Sequence, residues 1–189
     1  SLRHTLGTSA FVIEGADSFH RLIGYNRVPE PVKEGNSHRC ELASLYAIVT
    51  IVNCLCKYHQ ISQGAITLAC DNTGALKPGA VDFLPKSSQK NLDLLQALWK
   101  SLRESPVQWT TQHVYGHQDR KVKDSNRRLS ALNCEMDTLA KQHWAYIYAQ
   151  VRLAPAPHIP IHNKGWTVWH GSTKVAAPNS KALYSLLTD

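Results

Sequence analysis

The pattern of apolar and polar residues over the first part of the chain predicts a β-hairpin followed by a long helix. β-Prone runs at 5–13 and 20–28 flank turn residues at 15–18, as in two antiparallel strands joined by a short loop. Ser37 can cap a helix over about 37–58, in which apolar side chains recur three and four residues apart. We therefore expect this helix to pack its apolar face on a sheet.

The pattern then predicts two further strands and additional helical segments. The run AITLAC at 65–70 is short and nearly all apolar, which is typical of a central strand buried on both faces. The remaining elements are a short turn or helix at 72–80, an amphipathic helix at 92–102, a strand at 107–116 and a last helix at about 130–150. Their order predicts a mixed α/β fold, α+β in some schemes, with a central sheet and helices packed on it.

The composition changes after residue 151. The Pro-rich stretch APAPHIPIHNKG is typical of an extended linker, and GWTVWHGSTKV and a short apolar helix at about 179–187 follow it. We therefore expect one domain over 1–150. Residues 151–189 are expected to form a Pro-rich linker and a short C-terminal extension, and the chain has no internal repeat.

Composition excludes several classes of protein. Hydrophobic residues make up 43% of the 189 positions and charged residues 19%, which is enough apolar material for a core and too little charge for a disordered polyelectrolyte. Lysine and arginine number 21 against 14 acidic residues. The resulting net charge of +7 favours an anionic partner such as nucleic acid.

Cysteine usage and the apolar runs predict a reduced, intracellular protein of the cytoplasm or nucleus. The five cysteines are odd in number, widely spaced and placed within apolar or helical stretches, so we expect free thiols in the core. The longest apolar run, 42–56, is shorter than the roughly 20 residues that cross a bilayer, and no membrane span is expected. Cys54, Cys56 and His59 are spaced too tightly for a usual zinc finger, and no zinc is expected.

Three acidic residues lie next to predicted core positions on three different elements. Glu41 is in the first long helix, Asp71 directly follows the 65–70 strand, and Asp137 is in the last helix. Singly, each has an ordinary explanation, as an acid favoured by a helix dipole, a helix cap or a solvated helix residue. Together they would supply the oxygen ligands that hard divalent cations prefer, and two such ions about 4 Å apart can promote phosphodiester hydrolysis. Most other acids, Asp93 included, are expected in turns or on polar helix faces.

Four segments, in chain order, resemble the active-site blocks of type 1 ribonuclease H. They are HRCELASLYAIV, LACDNTGAL, VYGHQD and NCEMDTLAK, which contain in turn Glu41, Asp71, His117 and Asp137. The resemblance covers roughly residues 1–150 and extends particularly to the ribonuclease H domains of reverse transcriptases in retroelements. Retroviral integrases and related transposases share the fold but place their Glu last.

The resemblance implies a fold, an activity and a set of site residues. The fold is ribonuclease H-like, and the activity is endonucleolytic hydrolysis of the RNA strand of an RNA/DNA hybrid by a two-metal mechanism. Glu41, Asp71 and Asp137 would be catalytic metal ligands for Mg²⁺, with Mn²⁺ as the alternative ion. His117 would be a loop histidine that helps proton transfer or product release. The covalent neighbours would be other domains of a retroelement polyprotein.

One residue of the family pattern has no counterpart in this sequence. The family's first metal ligand is an Asp on the first strand, expected just before Ser1, and Asp17 falls instead in the predicted hairpin turn. We therefore expect a truncated first strand and an incomplete ligand set. Two alternatives stay open: a non-catalytic module of this fold that binds nucleic acid or braces a polymerase, and a fold-related DNA junction nuclease or exonuclease.

Basic and polar residues near the acids are candidate nucleic-acid contacts. The charge run at 120–128 is either a solvated loop or a patch that tracks phosphates. The candidates are Arg120, Lys121, Lys123, Arg127 and Arg128 in that run, and Asn36, Ser37, His38 and Asn72 beside the acids. Little base specificity is expected from a protein that reads hydroxyl and phosphate groups. Trp99, Trp109 and Trp144 are expected in the core.

Overall fold

The computed structural model describes residues 7–16, 20–28, 37–116 and 127–150, together with two short strands near the C-terminus. The elements are β1 (Thr8–Glu14), β2 (Arg21–Arg27), α1 (Ser37–Tyr58), β3 (Ala65–Cys70), α2 (Thr73–Leu76) with a 3₁₀ turn (Lys77–Gly79), α3 (Leu92–Arg103), β4 (Gln108–His113), α4 (Arg127–Gln150), β5 (Trp169–His170) and β6 (Thr173–Lys174). Each strand and helix predicted up to residue 150 is present, within a few residues of its predicted bounds. The helix predicted at 179–187 lies outside the described residues.

The fold is mixed α/β, because it combines an antiparallel and a parallel pair of strands with helices. β1 and β2 pair antiparallel, from Thr8 opposite Arg27 to Glu14 opposite Arg21. β3 and β4 pair in parallel across the α3 connection, and β5 and β6 form a small antiparallel pair. In the described part of the chain these are three separate pairs, so the single central sheet that we expected is not formed there.

The strand β3 is also less buried than predicted. Its C-terminal residues Leu68 and Cys70 are buried, whereas Ala65 and Thr67 are exposed. The physical reason is that β3 has only β4 as a ladder partner among the described residues, and that Thr67 pairs with Thr110 through hydroxyl groups 3.1 Å apart on an exposed face. The prediction of burial on both faces was therefore wrong for the first half of the strand.

The main core lies between α1, α3 and the C-terminal end of β3. Its fully buried side chains follow the apolar spacing of the two helices. They include Leu42, Leu45 and Val49 of α1, Leu94, Leu95 and Leu98 of α3, and Leu68 and Cys70 of β3. α1 is also long and apolar enough to cross a membrane by length and composition alone, a test that core helices pass as well. The expected absence of a membrane span stays a prediction.

A buried ion pair joins the start of α1 to the start of α3. The guanidinium of Arg39 donates two hydrogen bonds to the Asp93 carboxylate, at 3.0 and 2.8 Å, and the two side chains are only 4% and 2% exposed. The prediction that Asp93 lies in a turn or on a polar helix face was therefore wrong. Sequence spacing cannot reveal this pair, because its members are 54 positions apart.

The β1–β2 hairpin is held between α1 and α4. Ser44 of α1 donates to the Ala10 carbonyl at 2.6 Å, and Thr8 donates to the Ala140 carbonyl of α4 at 2.8 Å. On the α4 side, Arg21 also pairs with Glu135 at 2.6 Å. These contacts fix the position of α4 relative to the hairpin.

Two predictions about the core need correction. Trp144 is 37% exposed on α4, whereas Trp99 and Trp109 are partly buried, as expected of core tryptophans. All five cysteines are free, in agreement with reduced thiols, but Cys54 is exposed rather than part of the core. Trp144 stacks instead on Tyr148 along α4, with ring centroids 4.9 Å apart, and both side chains are exposed.

Candidate metal centre

The carboxylates of Glu41 and Asp71 meet where β3 ends. Glu41 lies in the second turn of α1, and Asp71 directly follows β3. The chain turns into α2 at this point because Asn72 caps that helix, its side-chain oxygen accepting from the backbone N–H groups of Gly74 and Ala75 at 2.9 and 3.2 Å. Ligand atoms of Glu41, Cys70 and Asp71 lie within 4.8 Å of one another. The structure thus brings together two of the three acids that the sequence singles out.

The surroundings of Glu41 disfavour its ionised form in the absence of a cation. Burial and, next, the negative charge of Asp71 raise the pKa of Glu41, while a hydrogen bond from the Asn72 side chain opposes them. Its Oε2 atom is buried and has no hydrogen-bond partner. A divalent cation would neutralise the repulsion and occupy that oxygen, so the pair fits a hard metal ion.

Cys70 is the member of this cluster that sequence reasoning missed. Burial raises the pKa of the Cys70 thiol to about 12, so the sulfur keeps its proton at neutral pH. The thiol lies 3.9 Å from Oδ1 of Asp71, to which it donates a weak hydrogen bond. Because hard cations prefer oxygen to a protonated sulfur, the two carboxylates are the ligands for Mg²⁺ or Mn²⁺ that this cluster offers.

Three residues from other parts of the chain lie against Asp71. Asn133 of α4 donates from Nδ2 to Oδ2 of Asp71 at 3.2 Å. A ring nitrogen of His113, Nε2, lies 3.2 Å from the Asp71 backbone oxygen. Gly116 passes so close that a Cβ atom there would lie 2.7 Å from Oδ2 of Asp71. Sequence analysis did not select Asn133, although it lies in the same NCEMD segment as Asp137.

Asp137 is not part of this cluster. Its side chain is 45% exposed and pairs with Lys141 one helical turn further along α4. Asn133 and Asp137 are four residues apart, which corresponds to about 6 Å along the helix axis. Within the described residues, the centre therefore presents two converging carboxylates, which suits one cation better than two.

The polar candidates of α1 and α2 lie beside the carboxylates. Ser37 is exposed at the first residue of α1, and His38 is half-buried with a hydrogen bond to the Asn72 side chain. Burial lowers the pKa of His38, the hydrogen bond to Asn72 opposes this, and the nearby charge of Lys77 lowers it further. Because Asn72 also contacts Glu41, a continuous polar row runs from His38 to the carboxylate pair.

Most of the basic candidates lie outside the described residues. Arg128 is described, and its guanidinium donates to the Gly15 carbonyl at 2.9 Å and pairs with Glu14 at 3.1 Å. These two contacts tie α4 to the end of β1, and the Arg128 side chain is otherwise about half exposed. Arg127 begins α4, but its side chain is outside the described part of the structure. Asn36, His117, Arg120, Lys121 and Lys123 also lie outside the described residues.

Comparison with known proteins assigns no family: no family model matches the chain, and no curated protein matches it.

Proposed function

We propose that this chain is a ribonuclease H-type nuclease domain of a retroelement polyprotein, which hydrolyses the RNA strand of an RNA/DNA hybrid. The observation that carries the proposal is the convergence of the Glu41 and Asp71 carboxylates at the end of β3, with one buried carboxylate oxygen lacking a partner. The net charge of +7 suits a polyanionic substrate. The order of the four sequence segments that contain Glu41, Asp71, His117 and Asp137 supports the same conclusion.

The residues of the chain take distinct roles in this proposal. Glu41 and Asp71 hold a Mg²⁺ or Mn²⁺ ion, which when bound supplies positive charge to a phosphate and favours attack by water. His38 and Asn72, in the polar row beside the carboxylates, hydrogen-bond the backbone of the hybrid in its minor groove. In line with the family resemblance, Asp137 acts as a further ligand when it exchanges its exposed pair with Lys141 for the cation, and His117 acts as a proton-transfer group.

The decisive experiment measures cleavage of a labelled RNA/DNA hybrid in Mg²⁺ and in Mn²⁺. The Asp71→Asn variant removes the carboxylate charge at nearly constant shape, and we expect its rate to fall at least about 100-fold, because metal and phosphate would no longer be aligned. Asp82→Asn is the matched control, since it makes the same change at an exposed position after α2 and should cleave at the wild-type rate. Equal rates for Asp71→Asn and the wild-type protein would overturn the mechanism.

A second candidate function is a non-catalytic module that binds nucleic acid or braces a polymerase. The ligand cluster favours it, because within the described residues two carboxylates converge there and Asp137 pairs with Lys141 instead. Such a module would retain the hybrid in a binding assay, with affinity falling as salt rises, and would leave the RNA intact in Mg²⁺ and in Mn²⁺. Cleavage that requires Asp71 excludes this alternative.

A further inference from the structure

We infer that Asn133 is a positioning residue, which holds the Asp71 carboxylate in the orientation that binds a divalent cation. The inference rests on the proposed function, because it assigns a role at the same centre. Its basis is the hydrogen bond from Nδ2 of Asn133 to Oδ2 of Asp71, at 3.2 Å, between residues 62 positions apart in the chain. Asn133 is the α4 residue whose side chain the structure shows bonded to this carboxylate.

The two oxygens of Asp71 have different surroundings. Oδ2 accepts from Asn133 and lies against Gly116, where a Cβ atom would come within 2.7 Å of it. Oδ1 is on the side of the Cys70 thiol, at 3.9 Å. With Oδ2 held in this way, rotation of the carboxylate is restricted and Asp71 stays close to Glu41. A hydrogen-bonded carboxylate of this kind is the usual arrangement around protein metal ligands.

The position of Asn133 is itself fixed by the packing of α4. Ser130 and Met136, three residues before and after it, are 4% and 9% exposed, so Asn133 lies on the inward side of the helix. The helix is tied to the hairpin at Glu135 and at the Ala140 carbonyl. Asp137, one turn beyond Asn133 along the same face of the helix, is 45% exposed and pairs with Lys141. The packed helix thus presents the amide of Asn133 to Asp71, while the Asp137 carboxylate bonds Lys141.

An amide is also the residue type that electrostatics favours here. The carboxylate oxygens of Glu41 and Asp71 already lie within 4.8 Å of each other, where two negative charges repel. A third carboxylate in contact with Asp71 would add to that repulsion in the cation-free protein, whereas an amide N–H satisfies Oδ2 without adding charge. We therefore expect two substitutions at Asn133 to change the affinity for a divalent cation in opposite directions.

The test measures the dissociation constant of Mn²⁺, from the electron paramagnetic resonance signal of the free ion, for the full chain and three variants. Asn133→Ala removes the donor, and we expect Mn²⁺ binding to weaken about 10- to 100-fold, as for other residues that orient metal ligands. Asn133→Asp places a third carboxylate at the centre, and we expect Mn²⁺ to bind more tightly than in the wild-type protein. Gln142→Ala is the control, since it removes an exposed amide from the same helix and should leave the constant unchanged.

Cleavage assays separate this inference from the proposed function. If Asn133 acts by positioning Asp71, Asn133→Ala should need more Mn²⁺ for half-maximal cleavage but should approach the wild-type rate at saturating Mn²⁺, which a purely structural defect would not do. Equal Mn²⁺ constants for Asn133→Ala, Gln142→Ala and the wild-type protein would overturn the inference while leaving the nuclease proposal intact. Mn²⁺ binding that responds to Asn133 without any cleavage would instead overturn the nuclease proposal alone. A wild-type protein that binds no Mn²⁺ would overturn both.

Discussion

At the scale of single residues, the most informative side chain is Glu41. It is partly buried next to a second carboxylate, and its Oε2 atom has no hydrogen-bond partner. Such an arrangement costs stability unless a cation is bound, and carboxylates with shifted pKa values are enriched at functional sites. Cys70 and Asn133 complete the local environment, one as a neutral thiol and the other as a hydrogen-bond donor to Asp71.

The raised pKa of Glu41 predicts how stability depends on pH. The folded protein binds the Glu41 proton more tightly than the unfolded chain does, so the free energy of unfolding should fall as pH rises from about 4.5 through the raised pKa. Glu41→Gln abolishes this ionisation. In urea unfolding at pH 7 with a chelator present, Glu41→Gln should therefore unfold at a higher urea concentration than the wild-type protein, and the difference should vanish below pH 4.5.

The same variant should lose its response to metal. A cation at 100 times its dissociation constant stabilises a protein by about 2.7 kcal/mol, and Glu41→Gln should show little of this gain with Mn²⁺. Glu104→Gln, at an exposed position after α3, is the control and should behave as wild type in both respects. Identical urea midpoints for Glu41→Gln and the wild-type protein at pH 7 would contradict the electrostatic interpretation of the pair.

At the scale of elements, the position of α1 decides the geometry of the centre. α1 contributes Glu41 on one side, packs against β1 and α3, and is anchored at its first turn by the ion pair of Arg39 with Asp93. α4 contributes Asn133 from the other side of Asp71 and is anchored to the hairpin. The carboxylate pair thus depends on two helices that reach it through separate contacts.

The buried ion pair should be far more important for stability than a surface pair. Asp93→Ala leaves the Arg39 guanidinium buried without its carboxylate partner, and we expect the free energy of unfolding to fall by about 3–5 kcal/mol. Glu104→Ala breaks the exposed pair with Lys100 and should cost less than about 1 kcal/mol. Urea denaturation measures both changes.

A double variant tests the cause of this loss. Replacing both partners, as in Arg39→Met with Asp93→Leu, removes the buried charges together and should be less destabilising than Asp93→Ala alone. If the double variant were the less stable of the two, the penalty would come from lost packing and not from an uncompensated buried charge.

At the scale of the whole molecule, the excess of basic residues favours a polyanionic ligand. The net charge of +7 acts over the whole surface, whereas the carboxylate pair is a local concentration of negative charge that a cation must neutralise before phosphate can approach. Binding of a hybrid and binding of metal should therefore be coupled, with both needed for cleavage.

Hybrid affinity should depend strongly on salt, and the basic run at 120–128 should account for part of that dependence. The triple variant Arg120→Ala, Lys121→Ala, Lys123→Ala removes three positive charges, and we expect the slope of log affinity against log salt to become shallower by about three. A matched triple variant at exposed lysines, Lys57→Ala, Lys86→Ala, Lys90→Ala, removes the same charge and should change the slope by less than one. Equal slopes for the two variants, measured by fluorescence anisotropy, would show that net charge alone controls binding.

The sequence by itself determined the elements of this protein, because helix and strand patterns arise from neighbours a few residues apart. The apolar spacing in α1 and the apolar run of β3 predict those elements with their observed bounds. The placement of three acids beside core positions predicted a site, and two of them, Glu41 and Asp71, meet in the structure. Such local patterns do not predict contacts between side chains that are far apart in the chain. The tertiary structure alone decided that Arg39 meets Asp93, that Asn133 and not Asp137 contacts Asp71, and that the described strands form separate pairs, since these contacts depend on how helices pack in space.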